Sequence, residues 1–279
     1  MSDASAPTAA RSPVPPAGLS LSRTLLSASA KLWFLAAATG QWMFVYYITL
    51  AYLPVTVAGD YASWDDTGLM EGYTQGDAWG NLAFISHVLL AAVITAGGLL
   101  QLTPALRKRF PALHRWTGRT YMLIAVFMAL GGIGLIWIRG TRVNDVAALG
   151  TTMDAILILV AAGFALRHAM ARQINSHRRW AMRLFIFVSG VWFTRIGYMG
   201  WAMLTGGAGM SRDLTGWFDS FIAWGSFLIP WILLELYMRA QDSRSSAVKF
   251  AMSGVVLLAA AFTALGVFGA WMMMWSPHI

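Results

Sequence analysis

LHRWTGRTYMLIAVFMALGGIGLIWI, residues 113–138, opens on a His-Arg pair, a Trp and a second Arg and then runs apolar for about 20 residues. That is the length needed to cross ~30 Å of hydrocarbon at 1.5 Å per helical residue. The opening recurs as SHRRWAMRLF at 176–185, again closing one apolar run and heading the next. Basic residues beside an apolar run of this length make the segment a membrane-spanning helix. The repetition predicts an internal two-helix unit covering about 80–204.

The composition carries the same assignment to the whole chain. It is 58% hydrophobic and 11% charged, with 14 Trp and a mean hydropathy of +0.60, whereas a soluble domain devotes about a quarter of its residues to charge. Apolar runs near 32–53, 80–103, 116–138, 151–170, 183–204, 217–239 and 250–275 predict an all-α integral membrane bundle of seven transmembrane helices. Residues 21–279 read as one transmembrane domain.

The basic residues orient it. With the N-terminus inside, 16 of the 20 Lys and Arg fall on cytoplasmic segments; Arg139, Arg142, Arg195 and Arg212 lie outside or within a span. The positive-inside rule therefore gives N-in, C-out, in a bacterial inner membrane. The net charge of +8 is spread over four membrane-flanking segments, which suits anionic lipid headgroups of the bilayer and excludes nucleic acid as a partner. Residues 1–20, rich in Ala, Ser and Pro, read as a disordered cytoplasmic tail. The first apolar run is too long for a signal peptide and reads as a retained anchor. The absence of Cys excludes disulfides and thiolate ligands. An external loop near 54–79 carries Asp60, Asp65, Asp66, Glu71 and Asp77 among Tyr61, Trp64, Tyr73 and Trp79, and reads as an acidic, aromatic-belted loop, with a cation-binding or lid role as the alternative.

Ionisable residues inside spans are expensive and mark candidate sites. Arg195 lies 12 residues beyond Arg183, about 18 Å deeper along a helix. His87, Asp154 and Gln41 fall at overlapping depths on three other spans. The four predict a ligand-binding polar cluster in the outer half of the bundle, with Asp154 as the acid in reach of Arg195. The alternative is a buried Arg195–Asp154 pair that only fixes helix packing.

The cytoplasmic rim offers different chemistry. His114 follows Pro111, a favoured first helical residue, and His177 follows Asn175 and Ser176, both good N-caps. A helix N-terminus disfavours protonated imidazole, and neutral imidazole is the metal-ligating form. His114, His168 and His177 are thus candidate metal ligands. His114 and His177 are also candidate haem b ligands, with Arg115, Arg178 and Arg183 near propionates or other anionic groups. The bland alternative is lipid anchoring and loop packing. The tract WMMMW at 271–275 reads as lipid or packing contacts, because consecutive thioethers point in different directions.

The internal His of FISHVLLAAVITAGGLLQL (84–102), then LHRWTGRTY, then SHRRWAMRL and the span-internal Arg of VWFTR (191–195), resembles a prokaryotic membrane family known as domain of unknown function 2306. The resemblance covers about 80–200 and implies His87, His114, Arg115, Arg119, His177, Arg178, Trp180, Arg183 and Arg195 as site residues, with no activity attached. A weaker likeness is to b-type di-haem membrane cytochromes, which present His pairs at two depths. Here only His114 and His177 make such a pair. Two function classes follow: a ligand-binding or haem-type redox module, or a transporter or binding protein for a small anionic or quinone-like ligand. An accessory subunit of a membrane complex is a third. No phosphate loop, HExxH or nucleophile–base constellation is present, so nothing points to a hydrolase.

Overall fold

A computed structural model describes residues 17–67 and 72–279. Among the described residues the chain is helical, without strands. The helices are α1 (Ala17–Ala58), α2 (Ala78–Leu102), α3 (Pro104–Arg109), α4 (Pro111–Trp137), α5 (Asp145–Met170), α6 (Ile174–Val188), α7 (Gly190–Thr205), α8 (Trp217–Asp242) and α9 (Ser246–Ala270). Short 3-10 helices cover Tyr61–Thr67 and Ser276–His278, and a π-helical turn covers Trp271–Trp275.

Six helices, α1, α2, α4, α5, α8 and α9, are long and apolar enough to cross a membrane. The expected unbroken fifth span at 183–204 is instead the pair α6 and α7, of 15 and 16 residues, interrupted at Ser189. Ser189 turns its Oγ back to the Phe185 carbonyl (2.8 Å), and the Gly that follows removes a side chain from the inner curve. A Ser-Gly pair is a recognised cause of helix kinks. The break changes the helix's neighbours: α6 packs on α5 and α8, whereas α7 packs on α9 and α8. Elsewhere α1 lies between α9 and α2, α2 packs on α4, and α4 on α5.

Two further expectations are corrected. The first helix begins at Ala17 rather than near 32, so the last four residues of the expected tail, 17–20, are helical; residues 1–16, like Glu71, lie outside the described residues. Helix α6 starts at Ile174 with Gln173 as its N-cap, so Asn175 and Ser176 are inside the first turn and do not cap it. Pro111 does head α4 as expected. His114 and His177 are each the fourth residue of their helix and donate their backbone N–H to the residue preceding it, Phe110 and Gln173 respectively. The two copies therefore match at their starts; they part at Ser189, since α4 runs unbroken for 27 residues.

Cross-links define the two ends. Arg179 Nη2 meets Asp242 Oδ2 at 2.6 Å, tying the start of α6 to the end of α8 at the basic end. At the opposite end Arg139 Nε meets Asp77 Oδ2 at 3.1 Å, tying the end of α4 to the start of α2. Asn144 there caps α5 by accepting from Ala147 N–H and donates to the Leu214 carbonyl. Large apolar side chains such as Leu123, Ile138 and Leu258 stand exposed around the outside, the surface a lipid-facing bundle presents.

Candidate functional site: a cavity with buried polar groups opposite the basic end

Six helices, α1, α2, α4, α5, α6 and α7, turn residues to a shared cavity of about 320 Å³. The spacing is helical throughout: Phe84, His87, Val88, Ala91 and Ile94 on α2, and Ala147, Thr151, Asp154 and Ile158 on α5. Residues three and four apart share a helix face, so these stripes look at one point. Helix α1 adds Phe44, Tyr47 and Tyr52, and α7 adds Trp192 and Arg195. The mouth is marked by Arg142 and Val143 of the α4–α5 connection, both exposed.

Three of the four residues expected in the outer cluster, His87, Asp154 and Arg195, line this cavity together. Among the described residues each carries a buried polar atom without a hydrogen-bond partner: His87 Nδ1, Asp154 Oδ1 and Arg195 Nε. Arg195 is turned toward α1, its guanidinium 5.2 Å from the Phe44 ring centre and its Nη1 donating to the Val191 carbonyl at 3.2 Å. Within that wall Tyr47 hydrogen-bonds Tyr52 and stacks on Trp275, itself fully buried at the end of the Met-rich turn. WMMMW thus does pack, through Trp275, while Met272 and Met273 face outward. His87 sits beside Gly132, where an added Cβ would stand 3.3 Å from the imidazole Cε1.

The expected Arg195–Asp154 pair is not formed. Asp154 is 8% exposed and lies against Gly190, at the helix break, where any side chain would collide with its carboxylate. Equal depth on two helices had not fixed which way each side chain faces. Gln41 is also corrected: it does not line the cavity but donates through Nε2 to Ser189 Oγ (3.0 Å), bracing the break from α1. A second cavity of about 190 Å³ between α5, α7 and α8 shares Asp154 and Arg195 with the first and adds Tyr198, Asp219 and Ser226.

At the basic end the expected sites dissolve into local bonding. His168 Nδ1 meets Gln173 Oε1 at 2.6 Å, and His177 Nδ1 donates to the Ala165 carbonyl at 2.9 Å. The Gln101 amide satisfies both its ends with its nitrogen 2.9 Å from His114 Nδ1 and its oxygen toward Thr117 and Gly118. No group of three His or carboxylates gathers closely enough to hold a metal ion among the described residues, so the His114–His168–His177 metal site is withdrawn. The haem geometry fits poorly as well: with Nδ1 of His114 accepting a hydrogen bond, its proton resides on Nε2, the atom an axial ligand must offer. Arg183 is engaged by Glu235 through Nε–Oε1 (2.6 Å) and Nη2–Oε2 (3.0 Å), stacks over Trp180 at 4.6 Å, and shares Glu235 with Trp231 Nε1. It is not free for a propionate. Arg115 and Arg178 are exposed.

With both ends described, comparison with known proteins supplies one match. The family described as "Predicted membrane protein (DUF2306)" matches residues 84–238, more than half of the chain. The protein belongs to this family. No curated protein and no solved structure matches it. The DUF2306 region runs from Phe84 on α2 to Met238 on α8, and so holds His87, Asp154, Arg195, Arg183 and Glu235. The α1 wall of the cavity, with Phe44, Tyr47 and Tyr52, lies outside it.

Several residues of this DUF2306 protein escaped the sequence reading. Glu235 interrupts the apolar stretch WILLELY (231–237), and a carboxylate within a span is itself a signal. Lys249, read as a topology charge, is fully buried and donates to the Ala240 and Gln241 carbonyls at 2.6 and 2.9 Å, closing the C-terminus of α8. In the loop between α1 and α2, Asp65 accepts from the Gly72 and Tyr73 amides, and Trp64 is buried against Phe84, so the loop packs onto the cavity wall. Asp77, N-cap of α2, is held below the usual carboxylate range by the Gly80 amide and then by Arg139.

Proposed function

We propose that this DUF2306 protein binds, and carries, a small molecule with an anionic or quinone-like head in the outer cavity. The supporting observation is the convergence of three unpartnered buried polar atoms, from three helices, on one mostly apolar space. Buried polar groups are nearly always hydrogen-bonded, and a cavity of 300–1,000 Å³ with a few converging polar groups is the usual form of a ligand site. A broken helix beside that site is common in transporters, and α6–α7 places its break against Asp154. In this reading α6 and α7 make one interrupted crossing, the fifth of seven, of a bacterial inner membrane, with the N-terminus inside and the cavity open outward. Anionic lipid headgroups meet the exposed arginines of the basic rim.

Complementation of a gene-deletion strain tests the site. His87→Ala, Asp154→Asn and Arg195→Gln are expected to reach the membrane at wild-type level and fail to complement, while His114→Ala and His177→Ala complement. The reverse pattern overturns the proposal and returns the function to the basic rim. Because the chain has no Cys, the orientation is checked separately in intact cells. A membrane-impermeant maleimide should label Val143→Cys and spare Arg115→Cys.

A further inference from the structure

Arg195 and Asp154 line the same cavity yet do not pair, and neither has a counter-ion among the described residues. Arg195 stays charged in any protein environment. It is turned to α1, where its neighbours are the Phe44 ring, the Val191 carbonyl and Tyr47. Asp154 is held on another wall, across Gly190, by the shape of the helix break. A guanidinium and a carboxylate in one low-dielectric space attract strongly, so keeping them apart needs rigid walls, and here aromatic packing and the Ser189–Gly190 break supply them.

That separation selects among occupants. An apolar molecule leaves both groups unmatched. A simple anion answers Arg195 and leaves Asp154 unmatched, and a simple cation does the converse. A molecule with both charges, an apolar body between them, meets Arg195 at one end and Asp154 at the other, with Tyr47, Tyr52 and Trp192 along its length.

We infer that the cavity takes a zwitterion: a small molecule whose carboxylate-like group binds at Arg195 and whose ammonium group binds at Asp154. The inference rests on the reading of this cavity as the ligand site and names the class of its ligand. His87, whose Nδ1 faces the same space, supplies a further hydrogen bond.

The test uses the full chain in detergent and two shape-matched sets of probes, read by calorimetric titration and by the rise in unfolding temperature. The first set is 4-(aminomethyl)benzoate, 4-methylbenzoate and 4-methylbenzylamine; the second is 6-aminohexanoate, hexanoate and hexylamine. 2-Methyl-1,4-naphthoquinone completes the panel. At least one zwitterion is expected to bind roughly tenfold or more tightly than both of its single-charge partners, the scale of one charge-assisted contact. Asp154→Asn should make the zwitterion and its anion equal, and Arg195→Gln should make the zwitterion and its cation equal. If an anion or the quinone binds as tightly as any zwitterion and Asp154→Asn leaves that affinity unchanged, the zwitterion inference falls while the cavity remains the ligand site. If no probe binds saturably at millimolar concentration, both fall.

Discussion

At the basic end of the bundle Arg183 meets Glu235 in two short contacts and stacks on Trp180, Arg179 meets Asp242, and Lys249 closes the α8 terminus on two carbonyls. At the opposite end Arg195 has one backbone hydrogen bond, the Phe44 ring and the nearby Tyr47 and Tyr52, none of them a counter-ion, and Asp154 has a glycine. The same residue types are thus matched to one another in one half and left facing an open space in the other. Polar groups that satisfy each other hold helices together. Groups kept apart at a cavity wall are available to something else, which is why function is assigned to the cavity end although the basic motif is the louder signal in the sequence.

Removing an arginine from each half breaks or sharpens that contrast, and Arg183 carries the largest expected effect. Arg183→Met strands Glu235 in a partly buried site and should destabilise the protein by about 3 kcal/mol, the scale for breaking such a pair from one side. Adding Glu235→Leu should recover most of the loss, a coupling that a double-mutant cycle by denaturant unfolding in detergent reads directly. Arg195→Met strands no carboxylate and should stay within about 1 kcal/mol of wild type or rise above it, since an unmatched buried charge is replaced by an apolar chain. A loss at Arg195 as large as that at Arg183 would mean that Arg195 has a structural partner and that the two halves are alike.

Lys249→Met comes next. Its ammonium lies at the C-terminal end of a helix, where cation and dipole attract, and it satisfies two carbonyls that have no intrahelical partner. The loss should be about 2 kcal/mol, with probe affinity at the cavity unchanged. A change in affinity at the far end would show that the halves are coupled through α8.

The contrast also explains what the sequence could disclose. Arg195, His87 and Asp154 were legible because a charged or imidazole side chain in an apolar run is conspicuous by itself, and all three share the cavity, whereas the neutral amide Gln41 does not. Their relation was not legible, since depth along a helix says nothing of azimuth: Asp154 faces Gly190 and Arg195 faces Phe44. The break at Ser189 was hidden because LFIFVSGVWF (184–193) stays apolar through it, and hydropathy does not register a Ser-Gly pair. The rim histidines were visible as a repeat, but the partners of two of them are the Ala165 carbonyl and the Gln101 amide, which no spacing rule reveals. Glu235 followed the same logic as Arg195 and was overlooked.

The smallest effect is expected at the loop that leads into α2, where an ion pair of the satisfied kind stands next to the cavity. Asp77 caps α2 through the Gly80 amide (2.9 Å) and meets Arg139, which also donates to the Gly72 carbonyl and Asn81 Oδ1. Its carboxyl titrates below the ordinary value of 3.8, the Gly80 hydrogen bond contributing most and Arg139 next. A carboxyl whose folded value is depressed contributes its full stabilisation above the ordinary value and loses it as the pH falls through the folded one. Protection of the 77–82 amides against hydrogen exchange, corrected for intrinsic rate, should therefore hold from neutral pH down to about 4 and decline below it. Asp77→Asn should flatten that decline without abolishing protection at neutral pH, because Asn caps a helix about as well as Asp and Arg139 keeps its other acceptors. A decline that persists unchanged in Asp77→Asn would assign the acid sensitivity of this loop to another group. If instead protection disappears at all pH values, the Arg139 pair rather than the cap holds the start of α2, and this loop depends on one ion pair as the basic end depends on Arg183.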